Sequence, residues 1–304
     1  MLRMKFIKIL PLLMVLALCG CGKESSSQSS PLAVSGLPPV AWIAQEIGGK
    51  YITSVSLLPE GRSPHDYAPG PSVLRRAAAA KLFFSCGMPF ENSAEKALRC
   101  EIVDVTKNIG RIMFDTSGNA HEHHSCSHTH ADGTSCSSDG SDPHVWLSCQ
   151  NACVIAENIA QALGKAFPEH KTDFENNLAA FKTRFAELKN ETSSKLAPYA
   201  GRTFFVYHPA FGYFAKEFGL KQQSIELGGR EVSAARLAEV IRHAKAENAK
   251  VIFTQKQFNP RNSMVLAKET GGRCVGMDAL AFDIEKNIRE MTSAIIDGFG
   301  GNKK

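Results

Sequence analysis

Short apolar runs alternate with helix-period stripes along most of this 304-residue chain. Runs suited to buried strands lie at 32–35, 52–58, 82–85 and 102–105. Between and after them, 39–47, 71–80, 90–98 and 147–167 repeat apolar residues at three- and four-residue spacing, the period of an amphipathic helix. The same pattern restarts near Arg202, with strands predicted at 203–207, 223–226, 251–254 and 274–277. Helices are predicted there at 210–218, 233–246, 260–270 and 286–297; Leu237, Val240, Ile241 and Ala244 form the stripe of the second.

Strand–helix alternation of this kind predicts parallel βαβ units with right-handed crossovers. The expected fold is α/β: two similar lobes, each a four-stranded mostly parallel sheet flanked by helices, joined by one long linking helix. The lobes are placed at 32–167 and 199–304, with a His-rich loop at 116–141 inside the first. The linking helix is placed at 168–198, where Phe174, Leu178, Phe181, Phe185 and Leu188 recur among charges. Pro168 suits its first turn, and Pro198 with Gly201 marks its end.

The first twenty residues change how the composition is read. Arg3, Lys5 and Lys8 precede an apolar stretch too short to span a bilayer, the form of an export signal. The following Leu18-Cys19-Gly20-Cys21 resembles a bacterial lipoprotein box, with Cys21 as the lipidated residue. Residues 21–31 then form a polar, flexible tether. Without residues 1–20 the formal charge falls from +5 to near +2, because 32 Lys and Arg face 30 Asp and Glu. The basic character therefore belongs largely to the signal, and nothing argues for nucleic acid. Seven cysteines follow Cys21, an odd number, so at least one thiol stays unpaired. Cys126–Cys136 and Cys86–Cys100 are candidate pairs, while Cys149 and Cys153 sit one helical turn apart as small apolar residues.

Candidate chemistry concentrates at strand ends. His65 lies in LLPEGRSPHDYAPG, His144 in SDPHVWLS, His208 directly after a strand in FFVYHPAFGYF, and Asp278 after CVGM. Open parallel sheets bind ligands outside their carboxyl ends, so two groups from each half can meet only between the lobes. Three imidazoles and one carboxylate suit zinc. His170 and His243 sit among charges on predicted helices and receive no role.

With these residues in view, the chain resembles the metal-binding lipoproteins of bacterial ABC importers, the cluster that takes up zinc or manganese. The resemblance rests on GRSPHDYAPGPS, SDPHVWLS, VYHPAFGYFAKEFGL and VIFTQKQFNPRNSMVLAKETGG, and extends over the mature chain. It implies two α/β lobes joined by one long helix, and metal ligands at His65, His144, His208 and Asp278. It also implies an extracytoplasmic monomer that holds Zn2+ between its lobes and delivers it to a membrane permease. Some zinc members carry Glu before the first histidine; here Pro64 stands there, which leaves Asp278 or a water as the fourth ligand, with Asp283 the fallback. Imidazole at His208, where manganese members have a carboxylate, favours zinc over manganese.

The densest histidines are a separate matter. His121, His123, His124, His128 and His130 fall in a Ser-, Gly- and Asp-rich stretch that cannot build a core. The resemblance implies that they are an auxiliary zinc collector or sensor. A rival reading, a secreted zinc hydrolase, finds no HExxH and no Glu beside the strand-end histidines, since Glu122 belongs to the His-rich stretch. A surface adhesin or metallochaperone is a further alternative.

Overall fold

The structure, a computed structural model, describes residues 31–113, 140–226 and 232–300. The predicted signal, Cys21, residues 22–30 of the tether, Cys126, Cys136 and the five clustered histidines lie outside these residues.

The N-terminal lobe runs β1 (Leu32–Ser35), α1 (Pro38–Gly48), β2 (Thr53–Ser56), α2 (Pro71–Ala77), β3 (Leu82–Ser85), α3 (Glu91–Ala97), β4 (Glu101–Asp104) and α4 (Cys149–Ala166). The linking helix α5 is Lys171–Leu196. The C-terminal lobe follows with β5 (Thr203–Val206), α6 (Gly212–Glu217), β6 (Lys221–Ser224), α7 (Ala234–Ala246), β7 (Val251–Thr254), α8 (Arg261–Glu269), β8 (Arg273–Gly276) and α9 (Ile284–Gly298). Each lobe holds one sheet of four parallel strands, ordered β2-β1-β3-β4 and β6-β5-β7-β8. In both, the order reverses direction beside the first strand, and that switch point opens a crevice at the carboxyl ends.

Local chemistry accounts for several boundaries. Prolines open α1 and α2, where a missing N–H costs nothing. Ser148, Ser233 and Asp283 cap α4, α7 and α9 by accepting from the backbone N–H three residues on. This capping bond from Lys286 occupies Asp283 Oδ1 at 2.9 Å. The predicted strand at 52–58 is shorter, Thr53–Ser56, and the buried Leu57 and Leu58 follow it with N–H groups that donate to the Ser35 and Gly36 carbonyls at 2.7 and 3.0 Å.

The linking helix spans 26 residues, about 39 Å at 1.5 Å per residue. Its apolar residues pack rather than bridge solvent. Phe181 and Phe185 stack at 4.2 Å and both meet Trp42 of α1, at 6.0 and 6.2 Å. One hydrophobic core runs from the N-terminal lobe through α5 into the α9 side of the C-terminal lobe. A smaller core lies on the far face, around Phe205, Ile252 and Leu266.

The expected Cys86–Cys100 pair is corrected: both thiols are free. Register gives the reason. Leu82 faces Glu101 and Ser85 faces Asp104, so Cys86 leaves the carboxyl edge of the sheet while Cys100 enters the amino edge. About five residues of strand, roughly 16 Å, separate them, beyond the 7 Å Cα limit for a disulfide.

Candidate metal centre

Three loops bring their histidines to one point between the lobes. His65 comes from the loop after β2, and its N–H donates to Ser63 Oγ at 3.2 Å. His144 ends the segment that returns after β4, just before a short turn of 3-10 helix at Val145–Leu147. His208 follows β5 by two residues; its N–H donates to Gln255 Oε1 at 3.2 Å, and Gln255 Nε2 donates back to its carbonyl at 2.8 Å. Gln255 thus holds the His208 peptide on both sides.

The ring nitrogens converge. His208 Nε2 lies 3.1 Å from His65 Nε2 and 3.3 Å from His144 Nε2, and one donor atom from each residue lies within 4.8 Å of the others. The remaining ring nitrogens of two histidines face carboxylates. His144 Nδ1–H donates to Asp142 Oδ1 at 2.7 Å, and His208 Nδ1–H donates to Glu226 Oε2 at 2.6 Å. A carboxylate only accepts, so the proton sits on Nδ1 and Nε2 presents a lone pair. Lone pairs turned toward one another repel unless a cation lies between them. Two Zn–N bonds of 2.0–2.1 Å at the tetrahedral angle place their nitrogens about 3.3 Å apart, the spacing seen here.

Electrostatics agree with that reading. Burial, then the neighbouring His144 and His208, hold His65 well below the usual imidazole range. His65 is exposed on one edge, yet its ring packs against the other two at 5.5 and 4.8 Å. His208 is also lowered, by desolvation first and against the opposing pull of Glu226. These imidazoles favour the neutral form, the form that binds a metal ion.

Asp278 stands at the expected strand end but outside the group of three. Its Oδ1 accepts from Leu280 N–H at 2.9 Å and from Gln257 Nε2 at 3.4 Å, while Oδ2 faces Lys256 Nζ at 4.0 Å. It lines a neighbouring interlobe cavity of about 650 Å³ with Leu58, Lys256 and Phe282. None of the three histidines borders that cavity, so its size is no guide to the chemistry.

Residues 34–296 match the family described as ZnuA, the periplasmic component A of a zinc-uptake complex. The chain belongs to that family. It is 28% identical over 280 residues to the zinc-binding protein AdcA of Streptococcus pyogenes, a match covering 88% of this chain and 54% of that one. The chain therefore spans about half the length of these streptococcal relatives. A Treponema pallidum protein provisionally named as metal-binding is 32% identical over 239 residues, 75% of this chain and 73% of its own. A ZnuA crystal structure superposes with a TM-score of 0.78 at 27% identity, covering 89% of this chain and 99% of that one.

Against this family background, Glu226 and Gln255 are the site residues that sequence reasoning missed. The strand register supplies what the sequence lacks for Glu226: it pairs Val206 with Ser224, which sets His208 opposite Glu226 two residues further on. Asp142, two residues before His144, orients that ring through its carboxylate.

Proposed function

We propose that this chain is the extracytoplasmic binding protein of an ABC importer and that Zn2+ is its cargo. The observation that carries the reading is the convergence of three Nε2 atoms at 3.1 and 3.3 Å. Carboxylates set two of the rings for coordination. His65, His144 and His208 bind the ion; Asp278, after a rotation of its side chain, or a water takes the fourth position. An all-imidazole triad favours zinc over manganese, whose sites are richer in oxygen. Metal competes with protons for the rings, and because burial holds His65 and His208 below the ordinary imidazole range, affinity falls only as pH drops below about 6.5.

The rest of the reading is organised around that centre. Residues 1–20 are the export signal, Cys21 the lipid anchor and 21–31 the tether that holds a monomer at the membrane. Lobes at 32–167 and 199–304 flank a linking helix at 168–198. His121, His123, His124, His128 and His130 collect zinc weakly and exchange it quickly, and a membrane permease receives it from the cleft. No bond chemistry is assigned: the carboxylates beside the triad are engaged in orienting imidazoles. Among the described residues, no helix is long and apolar enough to cross a membrane.

The test is a competition titration with zinc on the chain starting after Ser30, run intact, with 119–140 deleted, and as His208→Ala. One tight zinc that survives the deletion and is destroyed by His208→Ala supports the reading. Loss of tight binding on deletion, with His208→Ala unaffected, overturns it.

A further inference from the structure

One buried hydrogen bond joins the histidine centre to the Asp278 loop across the lobe boundary. Trp146 lies two residues after His144 and is fully buried. Its indole stands edge-on to the His144 ring at 5.4 Å. Its Nε1–H donates to the Ala279 carbonyl at 2.7 Å. That carbonyl belongs to a peptide unit pinned on both flanks. Asn287 Nδ2 donates to Asp278 O at 2.8 Å, and Leu280 N–H donates to Asp278 Oδ1 at 2.9 Å. Asn287 and Leu280 belong to the C-terminal lobe, as Asp278 does. Trp146 is the anchor that reaches this turn from the N-terminal lobe.

We infer that Trp146 is a positioning residue that couples His144 to Asp278, so that occupancy of the three imidazoles sets the placement of the carboxylate and Asp278 closes over the bound ion. The inference rests on the proposed zinc site and adds to it a means of completing the coordination. An indole N–H has one direction in which to donate, and a rigid bicyclic ring transmits small shifts of its backbone. A displacement of the His144 segment therefore moves the Ala279 carbonyl or breaks its bond. Breaking it strands a buried acceptor, so the two loops prefer to move together. Without the anchor, Asp278 keeps its Leu280 and Lys256 partners and the ion is held by imidazoles alone.

The test is zinc release, measured by stopped-flow chelator challenge, in four proteins: wild type, Trp146→Phe, Asp278→Asn and the double variant. Phenylalanine keeps an aromatic ring and removes the donor. Release is expected to be roughly five- to tenfold faster in Trp146→Phe, the loss of one buried hydrogen bond. In the Asp278→Asn background the same change should alter release by less than about twofold, because the coupled partner is already gone. Equal acceleration in both backgrounds, or none in either, overturns the inference. A second measurement does not depend on that variant folding. In the 15N spectrum, the Trp146 indole N–H peak of the wild type should move on zinc addition, and move much less in Asp278→Asn. An unmoved peak, or equal movement in both proteins, overturns it. Failure of the underlying site is visible separately, since wild-type protein would then hold no zinc that His208→Ala removes.

Discussion

In the N-terminal lobe, Leu58 N–H donates to the Gly36 carbonyl at 3.0 Å; in the C-terminal lobe, Glu226 N–H donates to the Tyr207 carbonyl at 3.0 Å. These are the same contact in two copies of one sheet, two residues beyond the ladder. Equivalence continues through the side chains. Leu37 stands where His208 stands, and Leu58 where Glu226 does. One lobe fills its crevice with two buried leucines, and the other with a buried histidine–carboxylate pair. The N-terminal lobe supplies its histidines from elsewhere, after β2 and after β4. A shared topology thus fixes where a site can open, while two side chains per lobe decide whether it holds an apolar plug or a ligand.

Making the C-terminal crevice resemble its counterpart should have the largest effect. His208→Leu is expected to weaken tight zinc binding by more than about 100-fold, read by competition titration, because on the proposed reading a ligand is lost and not merely its support. Glu226→Leu, the second half of the same conversion, should cost about 10–100-fold by freeing the ring. An unchanged affinity in either variant would break the comparison.

A buried acid in the other lobe sharpens it. Glu91 accepts from Cys86 N–H, Met88 N–H and Ser85 Oγ, and desolvation raises its carboxyl to about 7. A raised acid keeps its full stabilising contribution below the unfolded value near 4.3 and loses it as pH rises toward 7. Glu91→Gln should therefore remove that loss, a gain of about 1–3 kcal/mol at pH 8 and little at pH 4.5, checked by denaturant melts of the metal-free protein.

The histidines give the opposite slope. His65 and His208 are held low in the fold, so the unfolded chain binds more protons. Metal-free stability is complete above about 6.5 and falls as pH drops below it. His208→Leu should flatten part of that fall in melts at pH 5.5 and 7.5. The smallest effect belongs to Arg184, which faces Glu46 of the N-terminal lobe at 2.5 Å and Glu285 of the C-terminal lobe at 3.6 Å. The pairs are partly exposed, and Arg184→Ala should cost about 0.5 kcal/mol in denaturant unfolding, diminishing with salt.

Much of this was legible before any coordinates. Short apolar runs place β1, β3 and β7 with the bounds observed, and their alternation with period-3.6 stripes gives two lobes. His65, His144 and His208 stand out because Pro- and Gly-containing loops follow strand ends. The clustered histidines are dense along the chain, but density says nothing about geometry. Glu226 escaped because a lone glutamate at a strand end looks like any solvated charge until register sets it opposite His208. The Cys86–Cys100 pairing failed for a related reason: closeness in sequence cannot tell which edge of a sheet each residue occupies.

Hydrophobic periodicity and residue type, which act over a few neighbouring residues, determined by themselves the α/β class, the paired lobes, the linking helix and the three imidazoles. The tertiary structure alone decided which groups meet. Nε2 spacing, the Glu226 carboxylate on His208 and the bond from Trp146 to Ala279 all join residues from separate loops. Distances between such residues depend on strand register and on how two sheets pack against one helix, and no local pattern along the chain carries that information.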